Sequence, residues 1–315
     1  MEKRALGRRS GFRVSPLALG TVELGMDYGL KVPGAYGRPP EDEAVRLVHA
    51  ALDAGMDFID TARAYGQSEK VLGKALRGRR DEAVLATKVA VHGKDKKPLA
   101  ADMLQKHMLA ELDASLSALN TDRVDLWQVH NVDTALLAHA DILRDAFDAA
   151  KRSGKALAVG GSTYGAEAPQ LALETGLFDT LQVTYSVLDQ RLADRVLPLA
   201  AERGVGIVAR SVLLQGVLTE RGEHLPERLA PLKERSRRFR RLAGEAGLEP
   251  AQAALAFALA RADIGAVLVG VRSLEELEQN LPAASTVLPP DLLHALHGLR
   301  LDDAELLNPG SWGLE

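Results

Sequence analysis

Short apolar runs alternate along this chain with longer amphipathic stretches. The runs are 15–21 (SPLALGT), 57–61 (DFIDT), 83–88 (AVLATK), 124–130 (VDLWQVH), 156–162 (ALAVGGS), 180–185 (TLQVTY), 204–210 (GVGIVAR) and 266–272 (AVLVGVR). Each has strand length and is rich in Val, Ile, Leu and Ala. Between them lie segments such as EDEAVRLVHAALDAG, ADMLQKHMLAELDASLSALN and DRVLPLAAERG, in which apolar positions recur with helical spacing. Several end at glycine, a common helix terminator.

Alternating strands and helices predict a parallel sheet. The runs are nearly continuous in apolar residues, so both sheet faces should be buried. Eight such units in a chain of this length predict a (β/α)8 TIM barrel rather than an open sheet. No Pro-, Gly- or Ser-rich linker divides the chain, so residues 1–315 are expected to form one domain. RALGRRSGFRV, ahead of the first strand, predicts a β-hairpin turning around Ser10-Gly11 that plugs the barrel bottom. Three connections on the C-terminal face are long, 22–40, 89–99 and 212–232. With the tail 301–315 they are expected to roof a site, because barrel active sites lie on that face.

Composition narrows the function classes. The chain is 46% hydrophobic, ample for a core, and its net charge of −4 is mixed throughout, which excludes an extended nucleic-acid face. The basic runs RGRR (77–80) and RSRRFRR (235–241) are short, and the second reads as a solvated helix face. With no cysteine, disulfides, thiolate nucleophiles and Cys-ligated metals are excluded, and no metal site is expected. No stretch is apolar and long enough to span a bilayer. Arg8-Arg9-Ser10-Gly11-Phe12 weakly resembles a twin-arginine export signal, but the apolar segment behind it is short and serves better as a strand. A cytoplasmic protein is expected.

Candidate chemistry sits where the predicted strands stop. Asp60 ends the second strand, Lys88 the third and His130 the fourth, and Tyr65 follows in the turn ARAYG. Adjacent strand ends bring these groups together. Asp60 can hold and balance Lys88, whose ammonium lowers the Tyr65 pKa from its free value of about 10. His130 can hydrogen-bond a carbonyl oxygen, and Tyr65 can donate the proton as general acid. Taken singly, Asp60 also suits a helix N-cap, and Lys88 also suits a Schiff-base lyase or aldolase.

The chain resembles the aldo-keto reductase family over nearly its whole length. The likeness runs through LGRRSGFRVSPLALGTVELG, DFIDTARAYGQSEKVLGKAL, DRVDLWQVHNVD, LQVTYSVLDQR and LVGVRSLEELEQNL. It implies a (β/α)8 enzyme that passes hydride from a nicotinamide dinucleotide to an aldehyde or ketone, with Asp60, Tyr65, Lys88 and His130 as its catalytic tetrad. It also implies an extended dinucleotide across the barrel mouth, and no G-x-G-x-x-G fingerprint is present. Ser162, Thr163 and Gln182 match positions that hold the nicotinamide carboxamide, although the family often has Asn at Thr163. Thr21 is placed with them. Arg210 stands where many members stack an aromatic ring. Ser211, Leu213, Gln215 and Gly216 match the loop around the pyrophosphate.

The cofactor phosphate is where this chain departs from the family. Gly270 and Glu276 stand where many members carry the Lys and Arg that grip a 2′-phosphate. Arg272 and Ser273 open the same helix and can replace those cations; Gln279 and Asn280 match adenine contacts. NADP(H) is slightly favoured on family habit and Arg272, with NAD(H) open. Met26, Tyr28, Tyr36, Trp127, Asn131 and Trp312 are expected around a pocket for a small carbonyl or sugar; Trp312 also suits a tail anchor. The resemblance further leaves room for a non-catalytic nucleotide-binding sensor, and for alcohol oxidation as the working direction.

Overall fold

The computed structural model describes residues 1–32 and 36–314, so part of the connection 22–40, and the last residue of the tail, lie outside the described residues. Arg4–Ala5 (β1) and Arg13–Val14 (β2) pair antiparallel. Leu17–Gly20 (β3), Phe58–Asp60 (β4), Val84–Ala90 (β5), Val124–Val132 (β6), Ala156–Thr163 (β7), Thr180–Thr184 (β8), Gly206–Arg210 (β9) and Ala266–Gly270 (β10) close into a barrel in the order β10-β3-β4-β5-β6-β7-β8-β9. Every neighbouring pair is parallel.

Helices follow each barrel strand: Glu41–Asp53, Ser68–Ala75, Ala101–Leu119, Ala140–Arg152, Glu167–Thr175, Val196–Arg203, Ala230–Glu245 with Pro250–Leu259, and Leu274–Asn280 with Pro290–His297. Their apolar faces pack on the outward residues of the strands, including Leu17, Leu19, Ile59, Leu85, Trp127, Val129 and Leu181. The arginine run at 235–241 lies on the helix Ala230–Glu245, with Ser236 and Phe239 turned inward and Arg237, Arg238 and Arg241 exposed. No helix among the described residues is long and apolar enough to cross a membrane.

The barrel interior is filled separately. Ala18, Phe58, Ala86, Leu126, Ala158, Val208 and Ala266 form its lower layer, and Leu6 and Val14 of the hairpin close it from below. The hairpin turn is set by Ser10, whose hydroxyl donates to the Leu6 carbonyl at 2.5 Å and accepts the Phe12 N–H at 3.2 Å. Gly7, at φ +70°, allows this plug to seat, because a Cβ there would strike the Gly206 backbone. Three buried aspartates then clamp the strand bottoms. Asp57 accepts the Ser15 N–H at 2.6 Å, Asp125 the Leu85 N–H at 2.7 Å, and Asp179 the Val159 N–H at 2.9 Å. The N-terminal face is thus built for cohesion, and the C-terminal ends are left for chemistry.

Two connections contain more regular structure than their composition suggested. Val22–Gly25 is a single helical turn, and the stretch after β9 holds three short 3-10 turns. Leu6 is fully buried against the lower layer. Leu6→Ala should therefore lower unfolding stability by about 2–5 kcal/mol, measured by urea denaturation. A loss near zero would show that the hairpin does not seal the core.

Candidate active site

Period-two alternation along the strands decides what faces the barrel interior. Above the apolar layer, Asp60 of β4, Lys88 of β5, Gln128 and His130 of β6, Gln182 of β8 and Arg210 of β9 share that parity. Asp60 is 2% exposed and Lys88 1% exposed, so this is an ion pair removed from water. The Lys88 ammonium contacts Asp60 Oδ2 directly and donates to the Thr61 carbonyl at 3.0 Å and to the Tyr65 hydroxyl at 3.4 Å. Asp60 Oδ1 accepts from the Gln128 amide at 2.9 Å and the Gln182 amide at 3.0 Å. The Tyr65 and His130 rings meet edge to face, with centroids 5.8 Å apart.

These contacts set the protonation states. Burial pulls the Lys88 pKa down, but Asp60 and Tyr65 outweigh it and hold the amine above its ordinary value, as a cation. Tyr65 departs from expectation. Burial raises its pKa and Asp60 adds to the rise, and together they exceed the lowering by Lys88, so the phenol keeps its proton. His130 is pushed down to about 3, first by burial and then by the charges of Lys88 and Arg210, and is a neutral imidazole near pH 7.

These groups open into a cleft of about 430 Å3, within the range of cofactor and small-molecule sites. Asp60, Tyr65, His130, Ser162 and Gln182 form one end. The loop after β9 supplies Ser211, Leu213, Gln215 and Gly216 along one side, and Thr21 and Tyr28 lie on the other strand's loop. Gly270, Arg272, Glu276, Gln279 and Asn280 form the far end. Ser211, Leu214 and Gln215 all adopt left-handed backbone, at φ +58°, +48° and +55°, a strain of order 1–2 kcal/mol each for non-glycine residues. Gly216, at φ +95°, leaves passage for the Arg221 side chain. The cleft contains no group of acids and histidines able to hold a metal among the described residues.

Several expected residues sit elsewhere. Trp127 has the opposite parity to Gln128 and is fully buried on the outer barrel face, edge to face with Phe147. Asn131 stands at φ +59° on an irregularity of β6, exposed and outside the cleft lining. Trp312 is an anchor: it is 2% exposed, and its indole N–H donates to the Leu306 carbonyl at 3.0 Å. Among the described residues, neither the tail nor the connection 89–99 contributes to the lining; of the expected roof, only the loops after β3 and β9 do. Met26 and Tyr36 are exposed and also outside it. Thr163 lies outside the lining, and its carbonyl accepts from Arg210 at 2.8 Å. Ser273 lies outside too, as the N-cap of the last cleft helix, where its hydroxyl accepts the Glu276 N–H at 3.1 Å.

Several groups at or behind the cleft were not anticipated. Gln128 was readable from parity. Tyr164, one residue past β7, stacks under the Arg210 guanidinium at 3.8 Å from its ring centroid. Glu23 and Arg221 come from loops whose local sequence carries no signal for the site. Tyr28 closes the near side, its hydroxyl accepting from Gln215 at 3.3 Å; burial pushes its pKa up to about 12.

Comparison with known proteins agrees with this architecture. The model of the aldo/keto reductase family matches residues 16–300. The uncharacterized oxidoreductase YrpG of Bacillus subtilis is 33% identical over an alignment of 333 residues, covering 95% of this chain and 96% of that protein. L-galactose dehydrogenase of Arabidopsis thaliana is 30% identical, covering 90% of this chain and 88% of that protein. The holo form of aldo-keto reductase AKR11C1 from Bacillus halodurans superposes with a TM-score of 0.78 at 28% identity, covering 95% of this chain and 96% of that one.

Two measurements test the electrostatics of the site. Lys88→Met strands a buried carboxylate and should cost about 3–5 kcal/mol in denaturant unfolding. The double variant with Asp60→Asn should recover much of that loss; an equal loss in both would show that the charge is not what destabilises. Assigned imidazole resonances of His130 should not titrate between about pH 5 and 8, where ordinary histidines do. A midpoint near 6.5 would contradict the neutral assignment.

Proposed function

The chain belongs to the aldo/keto reductase family and is an oxidoreductase; from that premise we propose that it reduces the carbonyl of a small aldehyde, ketone or sugar with Tyr65 as general acid. The observation that carries this reading is the protonated Tyr65 hydroxyl, 3.4 Å from the Lys88 ammonium at the inner end of the cleft, beside a neutral His130.

The cleft's donors and acceptors suit a nicotinamide dinucleotide. Arg210 Nε is buried without a partner among the described residues, the kind of group a ligand satisfies. Ser162 and Gln182 would hold the nicotinamide end, Ser211 through Gly216 the middle, and Arg221, Arg272, Gln279 and Asn280 the adenosine end. NADP(H) remains slightly favoured because two arginines stand there, although Glu276 already engages both. When bound, the dinucleotide supplies hydride to the carbonyl carbon.

The protein's own contribution is positional and electrostatic. His130, uncharged, can orient the carbonyl oxygen by hydrogen bonding. Tyr65 passes its proton to that oxygen as negative charge develops. Lys88 stabilises the phenolate left behind, and Asp60, held by Gln128 and Gln182, keeps Lys88 charged and fixed. Because the raised pKa leaves Tyr65 protonated near neutrality, the resting site holds the proton that carbonyl reduction consumes. The Schiff-base reading needs a neutral, free Lys88 amine; this one is charged and engaged by three acceptors. The intact tetrad at the cleft supports a catalyst over a sensor. A relative named for L-galactose supports including sugars among candidate substrates.

Tyr65→Phe should lower kcat/KM for carbonyl reduction by about 10²–10⁴-fold while leaving dinucleotide affinity within a few-fold, read by fluorescence titration. Undiminished turnover in the variant would overturn the assignment.

A further inference from the structure

The far end of the cleft carries a charged cluster that the carbonyl chemistry does not use. Glu23 comes from the turn Val22–Gly25, Arg221 from the loop after β9, and Arg272 and Glu276 from the segment after β10; all four line the cavity. Glu276 joins the two arginines. Its Oε1 accepts from Arg221 at 2.6 Å and from the Arg272 guanidinium at 2.8 Å, and its Oε2 accepts the Arg272 backbone N–H at 2.8 Å. Burial raises the Glu276 pKa, but these bonds outweigh it and hold the carboxyl below its usual range, ionised.

Glu23 is different. Both of its carboxylate oxygens lie over Gly270, in the space a Cβ at that position would fill. Glycine at 270 is therefore what admits this carboxyl to the cleft. Its Oε2 is buried and has no hydrogen-bond partner among the described residues. A buried, unpaired carboxylate oxygen is costly unless a ligand donates to it or a proton neutralises it.

We propose that Glu23 is a specificity-determining residue that penalises a dinucleotide phosphorylated on its adenosine ribose relative to one bearing a free ribose hydroxyl. The proposal rests on the cleft being the dinucleotide site. With the nicotinamide beside Tyr65, the extended molecule carries its adenosine end to this cluster. A free ribose hydroxyl can donate to the orphaned Oε2. A phosphate brings nearly two negative charges and has no proton to spare for that oxygen. With Glu23 protonated, the two arginines and Glu276 leave one net positive charge for the phosphate; with Glu23 ionised they leave none.

The balance responds to pH. Burial pushes the Glu23 carboxyl up to about 7, Glu276 pushes the same way, and Arg272 and Arg221 pull back. Tyr28, the other titratable group facing it, keeps its proton in this range. Raising the pH through about 7 ionises Glu23 and disfavours the phosphorylated dinucleotide; lowering it does the reverse.

The experiment measures Kd for NADPH and NADH by isothermal titration calorimetry at about pH 6 and 8, on the wild type, Glu23→Gln and Glu23→Asp. Removing one facing charge should raise the NADPH-over-NADH affinity ratio of Glu23→Gln by about tenfold at the higher pH, and by less at the lower. Glu23→Asp, which keeps the charge but withdraws it, should fall between. The wild-type ratio should fall with rising pH relative to that of Glu23→Gln, whose ratio follows only the ionisation of the phosphate toward the arginines and so holds or rises. A Glu23→Gln ratio equal to wild type at the higher pH overturns the proposal. Should that variant not fold, a Glu23→Asp ratio equal to wild type at the higher pH overturns it instead. If both dinucleotides bind and the ratio ignores Glu23, this inference fails and the cleft assignment stands; if neither binds, both fail.

Discussion

The ion pair between Lys88 and Asp60, shut away from water inside the barrel, is the constraint on which the rest of the site depends. Two charges in such a place are costly unless every lone pair and proton is met. Here they are met: Thr61 and Tyr65 take the remaining lysine protons, and Gln128 and Gln182 occupy the free carboxylate oxygen. Six residues on four strands and one loop are thereby tied to one charge. The same pair sets the chemistry. It keeps a cation beside Tyr65, and the lysine of the pair adds to the burial that keeps His130 uncharged.

Neither charge alone explains the tyrosine. Proximity to an ammonium argues for an acidified phenol, yet burial and the nearby carboxylate exceed it. The resting site therefore holds a proton ready for donation, with a cation placed to receive the phenolate once the proton leaves.

The two ends of the cleft solve opposite electrostatic problems. The inner end pairs Lys88 with Asp60 and, of its charged groups, leaves only the Arg210 Nε open among the described residues. The outer end joins two arginines through one carboxylate and leaves another, Glu23, without a partner among the described residues for one oxygen. That contrast fits the division of the fold. Below, the hairpin plug and three aspartate clamps spend their polar groups on holding strands together. Above, the loops after β3 and β9 leave polar atoms and left-handed backbone facing the cleft.

The repeating apolar runs were enough to determine the barrel, because a parallel strand buried on both faces and a helix with one apolar stripe leave few other ways to pack. The strand ends likewise disclosed Asp60, Lys88 and His130, since alternation and adjacency follow from strand geometry alone. The same alternation could have placed Trp127 outside and Gln128 inside. Glu23, Tyr164 and Arg221 were not legible in this way: loop paths depend on which distant backbone leaves room. Only the tertiary structure revealed that a missing side chain at Gly270 admits a carboxyl from a turn almost at the other end of the chain. It also decided the charge states, because desolvation is a property of the packed site and of no residue in isolation.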